Sequence, residues 1–559
     1  MNPRRQDIAA MLLDRVGDAH PGLRTRERSW TWDEVVGESA ARAALATALR
    51  DENSPGAPFH IGVLLPNVAD FVFWLGGAAL SGATIVGLNP TRGPADLAAD
   101  IEHADCALIV TDAAGEARLA GLDHGVPPSQ ILCVEEPDYR AELQRHRGTP
   151  SRADGVGSAT LLLLLFTSGT TGTSKAVKCS QGRLAGIAYA AGDKYGHHRG
   201  DVDYCCMPLF HGNAIMALWA PALAVGATVC LTPAFSASQF LPDVRAFGAT
   251  FFTYVGKALA YLLATPEHPD DANNTLTRGF GTEASPDDQQ EFRRRFGAEL
   301  FEGYGSSEGG AVAVPDPAAP PTALGRPAHP EVAIVDPVTL RRCPPAMLGA
   351  AGQVLNADEA VGEIVDQRGA ANFEGYYKNE IADAERVRNG WYWSGDLGYV
   401  DAEGFLYFAG RRGDWIRVDG ENLSALTIER VLRRHRAVLA TAVYGVPDPR
   451  SGDQVMAAVE VDDPQSFDVE QFADFMADQE DLGRMGFPRL LRVSTRLPTT
   501  ASNKILKRDL QAQRWHTDEP VFRWAGRGRP RYSLLSDRDR AALDAEFATY
   551  GRQHHARLG

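Results

Sequence analysis

From residue 62 the chain alternates short apolar runs with amphipathic stretches of helical length: Gly62–Leu65, then Ala69–Leu80, then Thr84–Leu88, then Ala107–Thr111. Runs of four to six apolar residues separated by helix-length segments read as βαβαβ, the order of a parallel sheet covered by helices. The pattern returns after residue 160, with LLLLLF at 161–166, YCCMPLF at 204–210, ATVCL at 227–231 and TFFTYV at 250–255. A second doubly wound unit is therefore predicted. Ser285-Pro286-Asp287-Asp288 opens a helix, with a hydroxyl cap, proline in the first turn and acids at its positive end, and Gly297 closes it. Beyond residue 320, prolines, glycines and short strands (GEIV, GFLYFAG) predict β-rich structure, and GRRGDWIRVDGEN at 410–422 reads as a hinge. The resulting expectation is an α/β fold: a large N-terminal body, residues 1–412, of two doubly wound α/β subdomains plus a β-rich subdomain, followed by a small mobile α+β domain, residues 413–559.

One stretch competes with this picture. Tyr204 to Pro242 carries no Asp, Glu, Lys or Arg, and Ala214–Leu231 is almost wholly apolar. Pro221, Gly226 and Thr228 divide it into a helix-length and a strand-length piece, so a buried core is expected rather than a membrane span.

Composition narrows the function classes. The 559 residues include 56 Lys+Arg and 72 Asp+Glu, a formal charge of −16. Nucleic acid and broadly anionic membrane surfaces are poor partners for such a chain, so an anionic ligand has to be captured locally. Seven cysteines without a CxxC pair give neither a disulfide framework nor a zinc site. The apolar run Ile8–Leu13 is too short for a signal peptide. A reducing cytoplasm is expected, with peripheral contact at the inner face of the membrane left open.

The candidate chemistry starts directly after the leucine strand, at Thr167, Ser168, Gly169, Thr170, Thr171, Gly172, Thr173, Ser174 and Lys175. Glycines let backbone N–H groups turn inward, hydroxyls donate to oxyanions, and lysine adds a compact charge, which together make a phosphate cradle. It is not a standard P-loop, because Ser174 precedes the lysine and Ala176 follows it. Lysine usage adds weight. Only seven of the 56 cations are lysines, and four of those lie in two short segments, 175–178 and 504–507. Such clustering in an arginine-rich chain points to places where a guanidinium does not replace an ammonium.

TSGTTGTSK at 167–175, EGYGSSEGG at 302–310, WYWSGDLGYVDAEGFLYFAGRRGD at 391–414 and LPTTASNKILKRDL at 497–510 resemble, in order and spacing, the successive signatures of the acyl-adenylate-forming (AMP-binding) superfamily. TYVGKALAYLLATPE (253–267), FGTEAS (280–285) and GRRGDWIRVDGEN resemble the long- and very-long-chain fatty-acyl-CoA synthetases of the fatty-acid-transport-protein-like branch. The resemblance implies two steps: a fatty acid carboxylate attacks the α-phosphate of ATP to give acyl-AMP and pyrophosphate, and the thiol of coenzyme A then displaces AMP. ATP, Mg²⁺ and coenzyme A are the implied cofactors. A fatty-acyl-AMP ligase serving an acyl carrier protein, and a catalytically weak lipid-binding or transport protein, are the alternatives.

The resemblance also assigns roles. Lys504 matches the catalytic lysine that places positive charge between two anions. Glu308 matches the magnesium-linked acid, Ser307 the phosphate-touching hydroxyl and Tyr304 the ring that packs on adenine. Asp396 and Arg411 match the pair at the ribose hydroxyls. His211, in PLFHGN, matches a position at the junction of acyl pocket and nucleotide site. Gly420, with Glu421 and Asn422, matches the segment that swings in for the thioester step. Gly281–Ala284 departs from the commoner small-residue pattern and receives no assignment. Ser174 stands where relatives carry proline, which bears on how Lys175 is held.

Overall fold

The computed structural model describes residues 4–53, 58–167, 175–309, 313–314, 316, 318–320, 322–349, 354–370, 372–411, 415–418, 421–450, 452–479, 482, 486–500, 503–524, 526, 528–552 and 554. Two compact units divide the chain: residues 1–309 with 370–385, and residues 310–369 with 386–559.

The first unit holds two sheets. One has six strands in the order Ile131–Cys133, Cys106–Thr111, His60–Leu64, Thr84–Gly87, Leu161–Thr167, Lys175–Ser180. All neighbours are parallel except the last two, which form a hairpin pairing Thr167 with Lys175. The other has seven strands, with Glu299–Glu302, Arg278–Thr282, Phe251–Val255, Val202–Cys205, Thr228–Leu231 and Pro21–Arg24 parallel and Ser29–Thr31 antiparallel at its edge. The strands are buried on both faces, which is why they read as unbroken apolar runs. One continuous core runs from Ile8 through Trp74, Leu163 and Trp219 to Leu300.

The doubly wound pattern predicted from periodicity is present twice. The helix opened by Ser285 spans Pro286–Phe296, with a capping box between Ser285 and Asp288 and Gly297 at φ 76°. Two local differences have physical reasons. The strand expected through Phe210 ends at Cys205, since Pro208 has no N–H for a ladder. The charge-free stretch is buried, as expected, but its helix is not uniform: residues Ile215–Trp219 form a π-turn, closed by an Ala220 N–H to Ile215 C=O bond, ahead of the helix Ala220–Val225. Pro221 lacks the N–H that would continue a regular ladder, and the wider turn fits this. Among the described residues, no helix is long and apolar enough to cross a membrane. All seven cysteines are unpaired.

The second unit contains an antiparallel sheet built on Val332–Val335, Gly362–Asp366, Trp391–Val400 and Leu406–Arg411. It also contains a mixed sheet of Ala440–Pro447, Asp453–Glu460, Leu490–Ser494, Val521–Arg523 and Ser533–Leu534, flanked by helices. Two apolar clusters cover the two faces of the mixed sheet. The hinge expected at 410–422 lies inside this unit, and its residues 412–414 and 419–420 are outside the described residues, Gly420 among them.

Candidate active site

In the first unit the predicted residues emerge where parallel strands end, the usual place for ligands in open α/β sheets. Thr167 ends Leu161–Thr167, His211 follows Val202–Cys205, and Tyr304, Ser307 and Glu308 follow Glu299–Glu302. The loop Ser168–Ser174, with Gly169, Thr170, Thr171 and Gly172, lies outside the described residues. The residues flanking it, Thr167 and Lys175, pair across the two strands, and the Thr167 hydroxyl donates to the Lys175 carbonyl at 3.4 Å.

Lys175 is buried, at 9% exposure, and its Nζ lies 3.2 Å from Glu385 Oε2 and 5.4 Å from the centroid of the Tyr376 ring. Glu308 is also buried and accepts a hydrogen bond from the Tyr376 hydroxyl at 3.0 Å. Ser307 is held through its backbone: its carbonyl accepts from the Arg183 guanidinium, which also donates to the Lys178 carbonyl at 2.8 Å. A methyl group on Gly212 would come within 3.1 Å of Ser307 Oγ, so the turn after His211 abuts the hydroxyl. His211 Nδ1 accepts from the Asn213 N–H at 3.4 Å and caps the short helical turn. That contact places the proton of the neutral ring on Nε2.

The turn 280–285 is closely packed from below. Glu283 sits at φ 74°, in the left-handed region. Gly256 packs so closely beneath it that an added Cβ would lie 2.1 Å from the Glu283 carbonyl oxygen. Glu302 supports the same turn. It accepts from the Tyr254 hydroxyl at 2.7 Å and from the backbone at Ala284 and Glu283, while burial pushes its carboxyl up to about 8.

In the second unit Asp396 and Arg411 face each other across two antiparallel strands, with Arg411 Nε 3.5 Å from Asp396 Oδ1. Gly395, at φ 76°, turns the strand beside Arg386, where a side chain would meet the guanidinium at 2.6 Å. Ser394 Oγ accepts from the Asp396 N–H at 3.1 Å and so fixes the acid's backbone. Lys504 is half-buried and its backbone is bonded to Thr500. The Thr500 N–H bonds to the Lys504 carbonyl, the Lys504 N–H bonds to Thr500 Oγ1, and Asn503 takes φ 60°. Lys507 is committed elsewhere, in an ion pair with Glu429 at 2.8 Å.

Among the described residues, no group of three or more His, Cys, Asp or Glu is arranged to hold a metal by itself. One buried carboxylate, Glu308, beside the hydroxyl residue Ser307 is a hard oxygen set. It suits Mg²⁺, which is commonly held by one or two carboxylates together with substrate phosphates and water. The sequence reading did not single out Arg183, Tyr254, Glu302, Tyr376 or Glu385. Glu302 and Tyr254 lie inside the quoted segments EGYGSSEGG and TYVGKALAYLLATPE without a role given to them, and Tyr376, in the aromatic pair of EGYYKN, reads as an ordinary core tyrosine.

The chain belongs to the AMP-binding enzyme family: residues 13–377 match the family itself, and residues 427–504 match the AMP-binding enzyme C-terminal domain. It is 64% identical over 554 residues to a steroid-22-oyl-CoA synthetase of Rhodococcus jostii, covering 99% of each chain. It is 43% identical over 510 residues to a medium/long-chain-fatty-acid–CoA ligase of Mycobacterium marinum, covering 91% of this chain and 96% of that one. In fold it resembles ATP-bound MatB from Rhodopseudomonas palustris, with a TM-score of 0.76 at 22% identity over 91% of this chain and 98% of that one. The coarse activity is that of an AMP-forming acyl-CoA ligase.

Proposed function

We propose that this enzyme activates the side-chain carboxylate of a steroid acid, first to the acyl-adenylate and then to the coenzyme A thioester. The observation that carries this reading is the 64% identity, over 99% of both chains, to a steroid-22-oyl-CoA synthetase. A medium- or long-chain fatty acid is the second reading, favoured by the 43% identity to a ligase for such acids. The apolar stretches Tyr204–Pro242, which carries no charge, and Phe251–Leu263, whose one charge is Lys257, suit either apolar body. Cys206, Phe235, Phe240, Phe252, Leu259 and Leu262 line a narrow crevice there, closed to a ring system as it stands.

The chemistry follows from charge. A carboxylate oxygen attacks the α-phosphorus while the bond to pyrophosphate breaks, so two anions must approach and a third must leave. Lys175 is placed to hold the departing phosphates, and the Ser307 hydroxyl to donate to a phosphate oxygen. Glu308 would hold Mg²⁺, which when bound draws charge from the phosphate oxygens. Asp396 accepts from the ribose hydroxyls, with Arg411 beside it across the strand pair. Lys504 supplies the charge between carboxylate and α-phosphate. In the second step the coenzyme A thiol gives its proton to solvent, its sulfur attacks the acyl carbon to form the thioester bond, and the acyl–phosphate bond breaks to release AMP. His211, with its proton on Nε2, stands at the acyl side.

The test is pyrophosphate release with ATP and Mg²⁺ across steroid acids of several side-chain lengths and fatty acids from short to very long, each with and without coenzyme A. Turnover of steroid acids, with thioester formed only when coenzyme A is present, is the expected result. Preference for unbranched fatty acids selects the second reading. Adenylate that accumulates untouched by coenzyme A refutes the thioester step.

A further inference from the structure

The segment 372–377 is bound edge-on to the strand that begins at Lys175. Val177 and Tyr376 form an antiparallel bridge, the Lys178 N–H bonds to the Gly375 carbonyl at 3.0 Å, and the Tyr377 N–H bonds to the Ala176 carbonyl at 2.8 Å. Glu374 accepts from both the N–H and the hydroxyl of Ser180, and Asp383 accepts from the Tyr376 N–H at 2.6 Å. Gly375, at φ 85°, leaves no room for a side chain between Asp383 and Lys178. The backbone of Tyr376 is thus fixed from both sides, within the first unit.

Its side chain, 2% exposed, does two things at once. The hydroxyl donates to Glu308 Oε1 at 3.0 Å, and the ring stands 5.4 Å from the Lys175 ammonium. A phenylalanine would occupy nearly the same volume and keep the ring contact; only the O–H reaches the acid. A carboxylate engaged by a phenol loses rotational freedom, so the acid is held in a fixed orientation. The ring face attracts an ammonium and restricts the lysine to one side of it.

We propose that Tyr376 is a positioning residue that sets Glu308 for the metal of the metal–nucleotide complex and Lys175 for its phosphates. This rests on the assignment of Glu308 as the metal-linked acid. Groups that orient a metal ligand commonly cost 10–100-fold in affinity when removed. Y376F therefore weakens Mn²⁺ binding to the protein–ATP complex by about 10–100-fold, read by electron paramagnetic resonance of free Mn²⁺ with a non-hydrolysable ATP analogue. Metal-free binding of the analogue stays within about twofold, because the ring still faces Lys175. Y376L weakens metal-free binding as well, by about five- to thirtyfold. Y376F added to E308Q produces no further loss of Mn²⁺ affinity.

E308D, which keeps the charge but withdraws it from the phenol, matches Y376F and serves if Y376F does not fold. Wild-type Mn²⁺ affinity in Y376F or E308D, alongside a loss in E308Q, overturns the positioning role and leaves the Glu308 assignment standing. Wild-type Mn²⁺ affinity in E308Q overturns the Glu308 assignment itself. Additive losses in Y376F/E308Q show that Tyr376 acts by some route other than Glu308 and also refute the proposal.

Discussion

Glu302→Gln converts a buried proton into a measurable pH dependence. Burial raises the Glu302 carboxyl from its ordinary 4.5 to about 8, against the opposing pull of the Tyr254 hydroxyl and the backbone at Ala284 and Glu283. The folded protein therefore keeps this proton through a window in which the unfolded chain releases it. Protonation favours the native state, so the contribution is complete below about 4.5 and is lost as pH rises through about 8. Each pH unit inside the window removes up to about 1.4 kcal/mol, and the whole window is worth on the order of 3–5 kcal/mol. Glutamine has no proton to lose and still accepts from Tyr254 through its carbonyl oxygen. The Tm difference, variant minus wild type, should grow from pH 5 to pH 8 and then level off. At a few degrees per kcal/mol, the change is readable by differential scanning calorimetry of ligand-free protein at constant ionic strength. Other groups titrate in both proteins and cancel in the difference. A difference that does not vary with pH refutes the buried-proton reasoning.

Gly256→Ala places a methyl group 2.1 Å from the Glu283 carbonyl, a backbone atom in a residue already at φ 74°; overpacking of this kind costs about 1–3 kcal/mol, and an unchanged urea midpoint would contradict the packing described. Lys504→Ala should abolish adenylate formation from acid and ATP while sparing thioester formation from supplied acyl-AMP, checked by separate half-reaction assays; near-wild-type adenylation would remove Lys504 from the mechanism.

Much of the fold is legible because buried parallel strands need apolar residues throughout and amphipathic helices must separate them. Ile61–Leu64, Ile85–Val86, Leu108–Val110 and Leu162–Leu165 are all nearly inaccessible, so their runs are unbroken and easy to see. Helix ends were equally readable where a cap does defined work, as at Ser285 and Gly297. The π-turn at Ile215–Trp219 was not legible, because its apolar residues satisfy a regular helix as well and only the hydrogen-bond ladder distinguishes the two.

The residues of the candidate site divide along a similar line. Those to which direct chemistry is proposed, such as Lys175, Glu308, Asp396 and Lys504, sit in short glycine- and hydroxyl-rich motifs whose local composition is unusual. Those that hold them do not. Tyr376 touches Glu308 across 68 positions of sequence, Glu385 reaches Lys175 across 210, and Arg183 reaches the Ser307 carbonyl across 124. Each is an ordinary residue in an ordinary stretch, made special only by the strand pairing that brings it in. Glu302 goes one step further, because its environment rather than its neighbours in sequence sets its chemistry. Two glutamates in one motif, six residues apart, thus diverge: burial pushes the Glu302 carboxyl up to about 8, while Glu308, bonded to the Tyr376 phenol, is the acid proposed for the metal. Sequence supplies the same letter for both, and only the packing around each carboxylate separates a support from a ligand.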